Sequence, residues 1–113
     1  MNAEQQLIAI AEGCGWKWVV KSGISVKVRN GTLTHVGVPP DAPTNHPVFV
    51  PDYLNDLNAM HEAINSLNYQ DGIRFMGHLS SDGEIRGVEW LIVNATAAQR
   101  AKAFLRTLGK WRD

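Results

Sequence analysis

Ile24-Ser25-Val26-Lys27-Val28-Arg29-Asn30-Gly31-Thr32-Leu33-Thr34-His35-Val36 decides the fold class. Ile24, Val26 and Val28 alternate with Ser25, Lys27 and Arg29, the two-residue period of a half-buried strand. Asn30-Gly31 follows, and both residues tolerate the positive φ that a tight hairpin turn demands. Thr32 to Val36 reads as the returning strand, so the chain holds at least one antiparallel pair.

Helical patterns flank this hairpin. From the cap residue Asn2 to Glu12, Leu7, Ile10 and Ala11 recur at helical spacing, with Cys14 continuing the stripe and Gly13 and Gly15 as stop signals. Trp16, Trp18 and Val20 alternate with Lys17 and Lys21, a further short strand that places both tryptophans on one face. After the hairpin, Val38 to Pro51 carries all five prolines, which excludes an interior strand or helix and predicts a draped loop.

A second helix is expected from a cap at Asp52 to about Leu67, with Asn55 three residues on and Leu54, Leu57, Met60 or His61, Ile64 and Leu67 as its apolar stripe. Ile73, Phe75, Gly77 and Leu79 then alternate with Arg74, Met76, His78 and Ser80, which predicts a strand. An Asp82-Gly83 turn and a strand over Ile85 to Val93 would complete a second hairpin. A third helix opens on the capping box Thr96-Ala97-Ala98-Gln99, turns Ala97, Ala101, Phe104, Leu105 and Leu108 inward, and ends at Gly109.

The expected order is α-β-β-(β)-α-β-β-α, an α+β fold in which three helices cover an antiparallel sheet of four to five strands. The stretch Val88 to Val93 is apolar on nearly both faces, as suits a central strand sandwiched between layers.

The 113 residues, 44% of them hydrophobic, suit a single domain over 1–113. One cysteine cannot close an internal disulfide, the opening residues lack the basic charge of a secretion signal, and no apolar run nears the ~20 residues of a membrane span. The expectation is a soluble protein of the reducing cytoplasm. Eleven basic residues balance eleven acidic ones. That disfavours a general nucleic-acid binder, which carries a basic excess, and equally a DNA mimic. A net charge of zero opposes self-association only weakly, so a homo-oligomer is expected.

Two stretches carry a family resemblance: Pro51-Asp52-Tyr53-Leu54-Asn55-Asp56-Leu57-Asn58-Ala59-Met60-His61-Glu62 and Ala95-Thr96-Ala97-Ala98-Gln99-Arg100-Ala101-Lys102-Ala103-Phe104-Leu105-Arg106-Thr107-Leu108-Gly109. With the helix ending Cys14-Gly15-Trp16, they resemble a family of small bacteriophage and prophage proteins with an alpha-beta-alpha sandwich domain. The resemblance covers about a third of the chain. It implies a phage origin, a bacterial host cell as the place of action and helices on both sides of a sheet. It implies no activity, and Lys21 to Pro47 does not take part in it.

The polar set Asp52, Asn55, Asp56, Asn58, His61 and Glu62 is either the floor of a polar pocket or the solvated side of a capped helix. No second acidic cluster is available to pair with it for acid–base work. His35, His46, His61 and His78 lack metal-ligand spacing, and Cys14 ends an apolar stripe. No nucleophile elbow, phosphate loop or dinucleotide fingerprint is present. No catalytic residue, metal or cofactor is therefore assigned.

The four tryptophans with Tyr53, beside Arg29, Arg74 or Arg86, have the makings of a stacking and anion-binding surface, or of a protein hot spot. The candidate ligand-binding residues are Trp18, Arg29, Tyr53, Asn55, Asp56, His61, Arg74, Arg86 and Trp90. Three functions follow. The first is an anti-defence protein that sequesters a host immune nucleotide signal, as a sponge. The second is a direct inhibitor of a host defence protein through Ile24–Val36 and the Val38–Val50 loop. The third is a small nucleotide-acting enzyme using His61, Glu62 or Asp56.

Overall fold

Helix α1 spans Ala3–Gly13 because its start is specified locally. The Asn2 side chain accepts the Gln5 N–H at 2.7 Å and the Gln5 side chain accepts the Asn2 N–H at 3.0 Å, a reciprocal capping box. Leu7, Ile10 and Ala11 are buried on one side of it, as their spacing predicts. The computed structural model describes residues 1–82 and 95–113, with the backbone alone at 81 and 82.

Strands β1 (Lys17–Val28), β2 (Gly31–Val38) and β3 (Val48–Phe49) form an antiparallel sheet in the order β1-β2-β3. The segment expected as two short strands is one, interrupted by register shifts between Lys17 and Val20 and between Lys21 and Val26. Val28 pairs with Gly31, so the turn is Arg29-Asn30, one residue earlier than the Asn30-Gly31 reading. Gly31 serves instead as the first residue of β2 at φ +137°, where a Cβ would run into the Asp52 carboxylate. Prolines keep 38–51 out of the sheet interior, as expected. Yet the loop still contributes β3, a two-residue edge pairing in which Val36 meets Phe49 and Gly37 meets Val48.

Helix α2 runs over Leu57–Asn65, beginning one turn after the predicted cap. Asp52 is engaged elsewhere: its Oδ2 accepts the Thr32 N–H at 3.0 Å and the Asn55 amide at 3.0 Å, tying the chain to the hairpin. Asp56 is the cap, accepting the Asn58 and Ala59 N–H groups at 3.0 and 3.3 Å. The inward stripe shifts with the start. Ala59, Met60 and Ala63 are buried while Leu57 is exposed.

The strand predicted over Ile73–Ser80 is helix, part of α3 (Tyr69–Asp82). The Asn68 side chain accepts the Asp71 N–H at 2.8 Å, a local start that the apolar alternation concealed. Phe75 and Leu79, four apart, are buried while Ile73 and Met76 are exposed, the signature of a helix face. Asp82 closes this helix instead of opening a turn, and the expected strand over 85–93 lies outside the described residues.

Helix α4 (Ala97–Thr107) follows its predicted course, with the Thr96–Gln99 capping box intact at 3.1 and 2.9 Å and Gly109 at φ +70° after its end. The fold is thus α+β, with three strands and four helices among the described residues. This replaces the expected four to five strands and three helices.

The core lies among the helices. Ile10 of α1, Val50, Met60 of α2, and Phe104 and Leu105 of α4 are its fully buried large side chains. Tyr53, Phe75 and Leu79 pack into the same cluster. No residue of β1 is buried.

Candidate functional site

The β1–β2 hairpin departs from a regular ladder at two places. Two residues of β1 separate Lys17 from Val20, but only Gly37 separates their partners Val38 and Val36, so β1 carries one extra residue there. Trp18 sits in that bulge at φ +54°, an uncommon conformation for a bulky side chain. The second irregularity is larger. Lys21 to Val26 advances five residues against two for His35 to Leu33. Within it Gly23 takes φ +80°, and the Ser22 hydroxyl donates to the Ile24 carbonyl while accepting the Ile24 N–H.

Bulges re-aim side chains. Here Trp18 and Ile24 are each 65% exposed, the most open apolar side chains of the strand. Val20, Val26 and Val28 are exposed beside them, and Val48 at the far edge. Val20, Val36 and Phe49 are opposed across the three strands and so share one face. The half-buried strand expected over Ile24–Val28 is instead open on its apolar side, because the helices bury one another and leave this part of β1 uncovered.

Charge is partitioned along the chain. Residues 16–38 hold Lys17, Lys21, Lys27 and Arg29 and no carboxylate. Residues 39–73 hold Asp41, Asp52, Asp56, Glu62 and Asp71 and no Lys or Arg. A net charge of zero thus conceals a basic, apolar hairpin. All four of its cations are exposed.

Three of the depressions among the described residues hold titratable or aromatic side chains named above. The first, about 360 Å³, is lined by Glu4, Lys21, Thr34, His35, Asp52 and Asn55 among others. The His35 imidazole, 4% exposed, has Nδ1 2.8 Å from Thr34 Oγ1 and Nε2 3.3 Å from Glu4 Oε1. With the Thr34 hydroxyl donating to Nδ1, the Nε2–H donates to Glu4, and the ring joins α1 to β2. Every buried side-chain nitrogen and oxygen among the described residues has a partner, so none awaits a ligand.

A second cleft, about 260 Å³, brings Cys14, Trp16, Tyr53, Glu62 and Ser66 together beside Pro39, Pro40 and Asp41. Burial pushes the Cys14 thiol up, against hydrogen bonds to Ser66 and Tyr53 that lower it. Burial also pushes the Tyr53 phenol up, helped by the neighbouring Cys14 and Glu62. Both groups are held protonated at neutral pH, opposite to what an activated nucleophile needs. A third groove, about 460 Å³, lies between the end of α2 and α3, with His61, Tyr69, Phe75, Leu79 and Arg100 in its walls. Arg100 is buried and its Nε donates to the Ala95 carbonyl at 3.2 Å.

The residues nominated from sequence are dispersed. Trp18 and Arg29 lie on the hairpin, in its first bulge and at its turn. Tyr53 lines the Cys14 cleft, Asn55 the His35 depression and His61 the third groove. Asp56 caps α2, and Arg74 pairs with Asp71 at 3.0 Å on exposed α3. Arg86 and Trp90 lie outside the described residues.

Trp16 and Trp18 do not share a face. Trp16 packs on the core, whereas the positive φ turns Trp18 outward. Trp111 is covered by Lys102 and Arg106, at 5.0 and 6.0 Å from its ring. Sequence reasoning missed the Glu4–His35 contact and the Cys14–Tyr53–Ser66 cluster, whose members are far apart in the chain. It had one pointer to the basic hairpin, the local run of Lys and Arg without acid.

Among the described residues no three His, Cys, Asp or Glu side chains gather as a metal site, and no helix is long and apolar enough to cross a membrane. Comparison with protein-family models, curated proteins and solved structures gives no match.

Proposed function

We propose that this chain is a non-catalytic binding protein that docks its β1–β2 hairpin on another protein and blocks it. One observation carries the reading: five large apolar side chains of a single strand, Trp18, Val20, Ile24, Val26 and Val28, stand exposed beside a core that is closed without them. The register puts Val20 on one face of the sheet and Val26 and Val28 on the other, so the strand is open on both sides, and large apolar side chains exposed at this density mark interaction sites in soluble proteins. Three of the five, Ile24, Val26 and Val28, fall within Lys21 to Pro47, the part of the chain outside the phage-family resemblance, as suits a surface specialised for one target. Taken with that resemblance, the target proposed is a host defence protein in an infected bacterium.

The test is a photo-crosslinking amino acid placed at Ile24 and, as a control, at Tyr69, which is exposed on α3. Docking through the hairpin yields a defined protein adduct from position 24 and none from position 69, and Trp18→Ser abolishes it. Equal labelling from both positions would remove the proposal.

A second reading, sequestration of a nucleotide signal, is favoured by the third groove. Its volume suits a small ligand, and Tyr69, His61 and Arg100 offer a ring and two nitrogen-bearing groups in its walls. Native mass spectrometry of the purified protein decides it: a stoichiometric nucleotide released on denaturation supports sequestration. A ligand-free protein that ignores added cyclic and ADP-ribose-type nucleotides eliminates it.

A further inference from the structure

We infer that the β1–β2 hairpin takes an acidic protein with apolar side chains of its own, and not a second copy of this chain; the inference rests on the docking role proposed for the hairpin. Charge is the first argument. Lys17, Lys21, Lys27 and Arg29 are exposed among the apolar residues and 16–38 contains no carboxylate; Lys21 shares a depression with Glu4 and Asp52, which leaves Lys17, Lys27 and Arg29 as the cations a partner would meet. A partner that covers Trp18 and Ile24 brings its own surface against these cations, so carboxylates there are attracted and cations repelled. Lys17 and Lys27, opposite Val38 and Thr32, share the face of Val20, so two hairpins laid together on that face would oppose two cations to two, which disfavours the symmetric dimer.

The backbone supplies the second argument. Among the described residues β1 pairs on one side only, with β2, and its other edge is a template on which a second strand would add. That edge is broken at both bulges and carries lysines at 17, 21 and 27, the features that suppress edge-to-edge pairing between copies. The side chains of the hairpin are therefore the means of docking.

A head-to-tail contact of the hairpin with the acidic 39–73 stretch of another copy would find three of that stretch's five carboxylates engaged, with Asp41 and Glu62 remaining. Asp52 is held by Thr32 and Asn55, Asp56 caps α2, and Asp71 pairs with Arg74. Nucleic acid fits less well, because single strands are gripped by stacked aromatics and the exposed apolar side chains of β1 include one ring, Trp18, among aliphatic Val and Ile.

The test titrates the full chain with four probes: an alternating Glu/Leu peptide, a Glu/Ser peptide of equal charge, a Lys/Leu peptide and a random-sequence DNA duplex. Binding is followed by fluorescence and by amide hydrogen exchange of Lys17–Val28. Expected is preferential binding of the Glu/Leu peptide with protection of those amides, weakened roughly tenfold by Lys27→Glu, by Arg29→Glu at the turn, or by raised salt. The Glu/Ser peptide binds more weakly because it lacks the apolar component.

Equal binding of the Glu/Leu and Lys/Leu peptides on the hairpin overturns the acidic partner while leaving hairpin docking intact. Stronger binding of DNA, or a salt-resistant dimer that protects the same amides, also overturns it. Absence of hairpin protection with every probe, together with crosslinking that is no stronger at position 24 than at 69, removes the docking role itself.

Discussion

Helix α4 and strand β1 are both amphipathic in sequence, and only one of them has its apolar side covered. In α4, Ala97, Ala101, Ala103, Phe104 and Leu105 are buried, and even Arg100 is drawn in. In β1, Val20, Ile24, Val26 and Val28 recur with comparable regularity and remain at the surface. The contrast teaches that periodicity states which side of an element is apolar but not what, if anything, covers it. In α4 the cover is this chain's own α1, α2 and α3; on β1 a partner is proposed.

Substitutions test that contrast most directly. Phe104→Ala should cost about 3–5 kcal/mol, because a fully buried ring leaves a cavity that the surrounding helices fill only partly. Urea denaturation measures it, and a loss below about 1 kcal/mol would mean that the helical core is far looser than described.

The alkaline response is the next expected effect. Tyr53 has its folded-state pKa raised above the ordinary 10.0, so the folded protein keeps the proton where the unfolded chain releases it. Its contribution is complete below pH 10.0 and declines as pH rises toward the raised folded value. Cys14, raised from 9.0, adds the same sign starting lower. Denaturation midpoints should therefore begin to fall above about pH 9, where Cys14 titrates in the unfolded chain, and fall further above about pH 10, where the slope should be shallower in Tyr53→Phe. An identical slope in that variant would contradict the burial of the phenol.

Smaller effects sharpen the comparison. Thr96→Ala removes the cap of α4 and should cost about 1 kcal/mol, with Thr96→Ser restoring most of it. Ile24→Ser, on the open strand, should change stability by no more than about 0.5 kcal/mol in either direction while weakening binding of the Glu/Leu peptide. A loss of several kcal/mol at Ile24 would show that the chain itself covers that face.

Legibility in the sequence followed the range of the forces involved. The ends of α1 and α4 were readable because an Asn2–Gln5 or Thr96–Gln99 box acts over three residues and stays with its element wherever that element lies. Helix α3 was misread because Ile73, Phe75 and Leu79 satisfy an alternating pattern, and Gly77 fits it without offering a side chain to check. Only the Asn68 cap and the burial of Phe75 with Leu79 separate the two readings. Asp52 was an equally good cap candidate until Thr32, twenty residues earlier in the chain, claimed its carboxylate.

For the candidate site, the sequence reading registered the alternation over Ile24–Val28 and not the absence of carboxylates over 16–38. It read the apolar side as inward, since burial is the usual fate of such a pattern. By itself the sequence determined the α+β class, the pairing of β1 with β2 and the two capping boxes, all set by interactions between near neighbours. The tertiary structure alone decided that the helices would close the core among themselves, that His35 would meet Glu4, and that Trp18 and Ile24 would be left facing solvent. Those outcomes depend on contacts between distant residues, and on which of several apolar faces is covered once the chain has packed.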